Sequence, residues 1–454
     1  MSKKNQPLSS VTPQSEAEAI VVQHALALYR DAKAHAKNAP HGQFLTYAEA
    51  LTVVRGRELL KTTLQTLVQE EVNDFEKKNE TRLCPMCQTK KRHRGRPSRQ
   101  IETATGTIEV KRRYDECIPC NLLETVADAH VGLEDRYTVG LRCLITYVGV
   151  EKSFTKAAET LKRLCGLKIS HVTISKLCNE EALKMDEWMK LSEEVQKEFI
   201  AASGNVEVTM DGTCVNTTDG AKEVKVGMIS KRRRGQGVSP ERWGNRTTQE
   251  LPDIETCVAF AAVEECGEFQ KRVNFWRRQL RLGATSDISA LGDGAVWLWN
   301  IVREVFGKVR ECLDVYHGLE HVSDTGKVLY GEKTKEYKQW QEATTLEFLE
   351  SGFEEIEKRL NRLEQEERTD KEKESLRQLR GYLENNRERL GYRERLAEGR
   401  AIGSGQVEGA CKNLIGARLK QTWAKWKLER VNRMAILCSL RYCDLWDKYW
   451  MQAK

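Results

Sequence analysis

Three carboxylates stand in short glycine-flanked contexts far apart in the chain: Asp211 in VTMDGTCV, Asp293 in ALGDGAVWLW and Glu408 in IGSGQVEGACK. Oxygen ligands of this kind suit Mg²⁺ and Mn²⁺, and paired ions of that type serve in-line cutting of a phosphodiester. No local element joins the three, so a fold has to. Asp211 follows the apolar alternation of Val206, Val208 and Met210, and Thr213, Cys214 and Val215 continue the strand, which disfavours a tight turn there. Asp293 follows Ala290 and Leu291 and precedes a helix rich in Trp297, Leu298, Trp299 and Ile301. That places it at the carboxyl end of a strand, where open α/β sheets bind ligands. Glu408 falls in a first helical turn, which the macrodipole also favours without any chemistry.

A second constellation is the pair of CxxC knuckles, Cys84 with Cys87 and Cys117 with Cys120. Each supplies two thiolates, and four fill a tetrahedral Zn²⁺ site with no open position, so one structural zinc in a zinc ribbon is expected. Between the knuckles, Thr105, Thr107 and Glu109 alternate with Ile108 and Val110 after Gly106, predicting a small β-ribbon. Basic residues crowd it: Lys90, Lys91, Arg92, Arg94, Arg96, Arg99, Lys111, Arg112 and Arg113 face only Glu102 and Glu109. Such an excess supplies phosphate contacts.

Further along, a break at Gly166 separates an amphipathic stretch from a second helix opening with Ser170, His171, Thr173, Ser175 and Lys176. This reads as a helix-turn-helix that contacts DNA or as a plain helical hairpin. A cluster from Lys231 to Arg234, with Arg232 and Arg233, lies between two strands, and the closing helices carry Arg418 and Lys420 as further DNA contacts. Trp423 reads as a core residue, with base stacking as the alternative. Cys143, Cys165, Cys178, Cys257, Cys312, Cys438 and Cys443 sit in apolar contexts and read as small core residues.

The elements that must position these residues give a multidomain α+β and α/β chain. Its 454 residues allow roughly three domains. Apolar spacing predicts an N-terminal helical region over 1–80, a zinc ribbon over 81–130 and a helical DNA-binding region over 131–200. Three antiparallel strands, then alternating helices and strands, fill 201–330, with Asp219-Gly220 as a hairpin turn. Over 331–400, Leu346, Leu349, Phe353, Ile356, Leu360 and Leu363 step at helical spacing, and Leu376, Leu379, Leu383 and Leu390 follow a polar turn. That predicts an antiparallel helical hairpin, a solvated insertion rather than part of a catalytic module. Residues 401–454 return to the core with the Glu408 helix. The net charge of +7, from 74 basic and 67 acidic residues, is too modest to prove a polyanionic partner alone. With no signal core in MSKKNQPLSS and no apolar run long enough for a membrane, reduced cysteines and a cytoplasmic, nucleoid-associated location are expected.

The MDG strand, the LGDGAVWLWN run, LDVYHGLEH and IGSGQVEGACKNLIGARLKQTW, taken in order, resemble bacterial insertion-sequence transposases of the ISKra type. These are DDE enzymes with a ribonuclease H-like core, more distantly related to the Mutator-like group. The resemblance implies that Asp211, Asp293 and Glu408 form the catalytic triad on two Mg²⁺ or Mn²⁺ ions. It assigns Asp314 and His317, a DxxH pattern, as supporting core residues. It implies cleavage and strand transfer on double-stranded DNA, namely transposon terminal inverted repeats and target DNA, by a homo-oligomer that holds two ends. The alternatives are a zinc-dependent DNA-binding regulator, a domesticated transposase that no longer cuts, and a resolvase-like nuclease.

Overall fold

The periodic apolar residues that open the chain form two long helices, α1 (Glu16–Lys37) and α2 (Phe44–Lys78). The computed structural model describes residues 13–79, 83–133, 135–244, 251–283 and 286–452, so positions 1–12 of the expected helical region lie outside the described residues. α1 begins where the Ser15 hydroxyl accepts from the Glu18 amide, with Glu16 and Glu18 at the positive end of the helix. After α2 come β1 (Arg92–His93), β2 (Ser98–Thr103), β3 (Gly106–Lys111), β4 (Asp115–Cys117) and β5 (Leu122–Glu124). β2 and β3 are the expected ribbon, with Ile101 opposite Ile108, while β1, β4 and β5 make a separate antiparallel sheet.

The inward residues Ile101, Ile108 and Val110 pack with Val72 of α2 and with Ala127 of α3 (Val126–His130). Gln65 and Gln69 of α2 cover the outer edge of β3, accepting from the Glu109 and Lys111 amides at 2.9 and 2.8 Å. Edge donors that would otherwise be unpaired are thereby satisfied. Then follow α4 (Val139–Glu151), α5 (Phe154–Thr160) and α6 (His171–Leu191). α5 widens into a π turn over Leu161–Cys165 and stops at Gly166, whose φ of 73° suits a residue without Cβ. One compact unit ends at Leu177, and a second runs from Cys178 to Gln452.

In the second unit, α7 (Glu193–Ala201) leads into the hairpin of β6 (Asn205–Thr217) and β7 (Gly220–Arg232). Its turn is fixed by the Thr217 hydroxyl, which donates to the Gly220 carbonyl at 2.7 Å. The chain continues through α8 (Pro240–Gly244), β8 (Ile254–Ala262), α9 (Cys266–Gln279), β9 (Ile288–Gly292), α10 (Val296–Phe306), β10 (Arg310–Leu313) and α11 (Val315–Tyr330). The five strands form one sheet in the order β10-β9-β6-β7-β8. β7 runs antiparallel to both neighbours, whereas β9 pairs in parallel with β6 and with β10.

The helical segment that follows differs from a detached hairpin. Its first arm is two helices, α12 (Lys335–Ser351) and α13 (Phe353–Leu363), broken at Gly352 with φ 58°. α14 (Asp370–Asn385) starts with a capping box between Thr369 and Glu372, and α15 (Tyr392–Ala397) follows. The Phe353, Ile356, Leu360, Leu376, Leu379 and Leu383 seam does not close on itself. It shares one buried cluster with Leu291, Cys312, Leu313 and Val315, the residues that carry the strand ends. The solvated insertion of the sequence reading is therefore corrected: its polar face meets water, but its apolar face is part of the core that backs the carboxylates. The chain closes through α16 (Gly405–Ala410), α17 (Ala417–Leu419), α18 (Leu428–Tyr442) and α19 (Trp446–Gln452). Among the described residues, no helix is long and apolar enough to cross a membrane.

Candidate active site

Strand register aligns the acidic residues. β6 pairs with β9 as far as Thr209 opposite Leu291, and β9 pairs with β10 as far as Gly292 opposite Leu313. Continuing each register by one or two residues sets Asp211, Asp293 and Asp314 in a row across three adjacent parallel strands. The Asp314 amide donates to the Gly292 carbonyl at 2.7 Å, which locks the last step. Asp211 lies within β6, which runs on for six more residues, and Asp293 stands just past β9, both half-buried.

Glu408 reaches the row from α16. The Ile402–Ser404 loop is tied to the start of α11 by the Val315 amide, which donates to the Ile402 carbonyl at 3.0 Å. Ser404 donates through both its amide and its hydroxyl to Asp314 Oδ2. Gln406 fixes the next turn, accepting from the Ser230 hydroxyl of β7 at 2.8 Å and donating to Glu207 of β6. Glu408 follows in the first turn of α16, half-buried.

Electrostatics tie the four carboxylates to one imidazole. Burial raises the Asp211 carboxyl, the Gly212 amide at 2.7 Å and the Cys411 thiol at 3.4 Å oppose it, and the Asp293 charge raises it further. His317 rises to about 9, mainly through the Asp314 carboxylate 3.6 Å from its Nδ1, with Asp293 and Glu408 adding to the effect. His317 thus sits among four carboxylates, one of which, Glu408, also pairs with Lys412 at 3.8 Å. Asp314 is fully buried, and burial alone would raise it. The donors of His317 and Ser404 overcome that and hold it below the usual carboxylate range.

The tightest trio of ligand-type atoms is Asp314, His317 and Glu408, all within 4.8 Å of one another, rather than the expected Asp211, Asp293 and Glu408. Asp314 is nonetheless poorly placed to bind a cation. Its Oδ1 accepts from the Tyr316 and His317 amides at 2.7 and 3.2 Å, and its Oδ2 is taken by Ser404. His317 Nδ1 lies 3.6 Å from Asp314 Oδ1, and the ring could bind a cation only in its neutral form. These two residues read as a brace that joins α11 to the Glu408 loop. Asp211, Asp293 and Glu408 are only half-buried, and Glu408 pairs with Lys412 at 3.8 Å. Asp293 also shapes its own turn, as its Oδ1 accepts from the Ala295 amide at 3.0 Å.

Two neighbours escaped the sequence reading. Cys411 touches Asp211 from a π turn, Cys411–Gly416, and its spacing of three from Glu408 on a helix was the available signal. Tyr382 of α14 donates to the Asp293 carbonyl at 3.0 Å and stacks on His321 at 3.8 Å between ring centres. It lies in the helical segment expected to be remote, and nothing in its local sequence marks it.

In the first unit the four knuckle cysteines meet. Their sulfurs lie within 4.8 Å of one another, with Cys84 to Cys120 at 3.9 Å and Cys87 to Cys117 at 3.5 Å. A tetrahedron with about 2.3 Å metal–sulfur bonds has edges of about 3.8 Å, so the set could hold a metal ion. The Thr89 side chain and amide hold the Cys87 thiol down at about 6, close to the thiolate a metal needs.

Several basic residues expected to face DNA are engaged elsewhere. Lys91 is buried against Glu124, and Arg113 is buried on Asp115 at 2.7 Å. Arg94 pairs with Glu116, Arg96 with Glu76 of α2, and Arg112 with Asp128 at 2.6 Å. Five carboxylates from the knuckle, α2, α3 and β5 thus offset the excess that seemed to face only Glu102 and Glu109. Arg92 stays exposed. Ser170 caps α6, accepting from the Thr173 amide at 3.0 Å and hydrogen-bonding the Thr173 hydroxyl; Ser170, His171 and Lys176 are exposed, while Ser175 is buried. Arg232 is turned into the fold on Glu207 and the Pro252 carbonyl, and Arg233 pairs with Glu255 at the surface. Arg418 is buried with its guanidinium 4.8 Å from the Trp426 ring, so it is a core residue. Lys420 is exposed and reaches the Thr213 hydroxyl of β6. Trp423 reverses the expected packing role: it is 96% exposed, on a loop rather than a helix.

A mixed sheet carrying a row of acidic residues in one unit and a four-cysteine cluster able to hold a metal in the other define an α+β protein. The chain belongs to the uncharacterised protein family UPF0236, whose model matches residues 53–443, and that family is loosely linked to transposase-like insertion-sequence proteins. The comparison with curated proteins finds no match.

Proposed function

We propose that this chain is a DDE transposase of the ISKra type, which binds terminal inverted repeats and cuts and joins double-stranded DNA. The observation that carries the reading is that Asp211 and Asp293 stand in register on neighbouring parallel strands and that Glu408, delivered by α16, acts on the same imidazole, His317. The sheet order, with three antiparallel strands followed by two parallel ones, supports a ribonuclease H-like core. Mg²⁺ or Mn²⁺ held by these three carboxylates would supply activation of an attacking oxygen and stabilisation of the leaving 3′ oxygen. His317, charged by its ion pair with Asp314, offers the pocket a positive group toward phosphate, and Asp314 keeps it there. In the ribbon, Cys84, Cys87, Cys117 and Cys120 hold one structural Zn²⁺. Exposed Arg92, His171, Lys176 and Lys420 are the DNA contacts retained from the sequence reading. A homo-oligomer bound to the nucleoid would hold the two DNA ends.

The test is cleavage of DNA carrying the element's own flanking repeats, with Mg²⁺ present. Asp211→Asn, Asp293→Asn and Glu408→Gln should each lower cutting by about 10²- to 10³-fold while the repeats are still bound. Strand-transfer products separate a transposase from a resolvase-like nuclease. Wild-type protein that binds the repeats without cutting would mark a regulator and sink the proposal.

A further inference from the structure

Trp423 departs from every other tryptophan of the chain. The other nine are buried or partly buried, whereas Trp423 is 96% exposed. Its φ of 64° lies in the left-handed region, which costs an aromatic residue energy and persists only where the surroundings impose it. The surroundings do impose it. The Trp426 amide donates to the Asn216 carbonyl at 3.1 Å, and the Thr218 amide donates to the Trp426 carbonyl at 2.9 Å, so the loop is stitched to the tip of the β6–β7 hairpin. The Trp426 indole donates to the Leu419 carbonyl at 3.1 Å, and the Arg418 guanidinium lies over its ring. At the other end Lys420 grips Thr213, two residues beyond Asp211 on the same face of β6.

The loop is thus a rigid mount for a bare indole on the strand that bears Asp211. Its charge is one-sided. Lys420, Lys425 and Lys427 are exposed around Trp423, and the chain has no acidic residue between Arg418 and Leu428. An aromatic face framed by ammonium groups matches a nucleic-acid strand whose bases are free to stack, because every base offers a π-face and the neighbouring phosphates take the lysines.

We propose that Trp423 stacks on an unpaired base of the DNA strand lying beside the carboxylate pocket, with Lys420, Lys425 and Lys427 on the adjacent phosphates. This rests on the transposase reading for its substrate, but its test needs no cutting. The full chain, in EDTA, is titrated with a fluorescent oligothymidylate of about 12 nucleotides and with a duplex of equal length. Trp423→Ala should weaken single-strand binding by about 5- to 150-fold and leave duplex binding much less affected, while Trp423→Phe, which keeps a ring, retains most of the affinity. Unchanged single-strand affinity in Trp423→Ala would overturn the proposal and point to a protein partner for the ring. Equal losses on both probes, or equal losses in the Ala and Phe variants, would also overturn it. Failure of the carboxylate variants to affect cleavage would instead remove the transposase reading and leave this binding result standing.

Discussion

The cysteine cluster and the carboxylate row are both sets of distant ligands, yet they are assembled in opposite ways. Each knuckle is a local device: the Cys84 amide donates to the Thr89 carbonyl at 2.9 Å and the Gln88 amide returns to the Cys84 carbonyl, the Asn121 amide donates to the Ile118 carbonyl at 3.3 Å, and the β1–β4 pairing joins the two. The carboxylates have no local device. Their meeting depends on the parallel register of β6, β9 and β10 and on a helix delivered from ninety positions beyond Asp314. A ligand set that closes on itself serves folding. One left half-buried can serve chemistry.

The largest effect should come from breaking the closed set. Structural zinc in small cysteine sites contributes on the order of 10 kcal/mol of folding free energy. Cys84→Ser or Cys117→Ser should therefore abolish the roughly one zinc per chain expected of the wild type in atomic emission, and expose the ribbon to proteolysis. Zinc-free protein with an intact, protease-resistant ribbon would erase the contrast. Next, Asp211→Asn, Asp293→Asn and Glu408→Gln should each lower metal-dependent cleavage by about 10²- to 10³-fold, several kcal/mol of transition-state stabilisation, with an unchanged melting temperature. A matching drop in melting temperature would mean that the open set is structural too.

Asp314→Ala sharpens the division within the acidic row. It leaves the Tyr316, His317 and Ser404 amides without their acceptor in a buried place and should cost about 2–4 kcal/mol in urea unfolding. Wild-type stability with lost cutting would instead make Asp314 a metal ligand. The smallest effect separates paired from unpaired basic residues. Arg92→Ala should reduce the salt slope of DNA binding by about one, whereas Arg113→Ala, removed from a buried pair, should change stability and not the slope. Equal slopes for the two variants would contradict the pairing seen in the ribbon.

The elements that repeat a short period were legible in the sequence. The strands around Asp211, Asp293 and Leu313, the Asp219-Gly220 turn and the Leu349-to-Leu383 seam fall where their alternation or helical spacing put them. Arg94, Arg96, Arg112 and Arg113 were misread because charge was counted along the chain, while Glu76 and Asp128 approach from elements before and after the ribbon. Trp423 was misread for the complementary reason: hydrophobic identity predicts burial only when a surface is there to cover it. Tyr382 has no local signal in the sequence, and only the shared core beneath α14 brings its hydroxyl to the Asp293 backbone.

Val315 and Ser404 are fastened to one another's neighbours across a narrow neck, so everything between them is an excursion whose two ends cannot drift. Additional residues at its outer bend, after Leu363, would add only loop-closure entropy, about 0.6 kcal/mol for each doubling of that bend, and would leave Glu408 where it stands. Relatives of different length are expected to vary there. A deletion reaching Tyr382 would instead remove a support from beneath Asp293, so tolerance to length change should end abruptly at that residue.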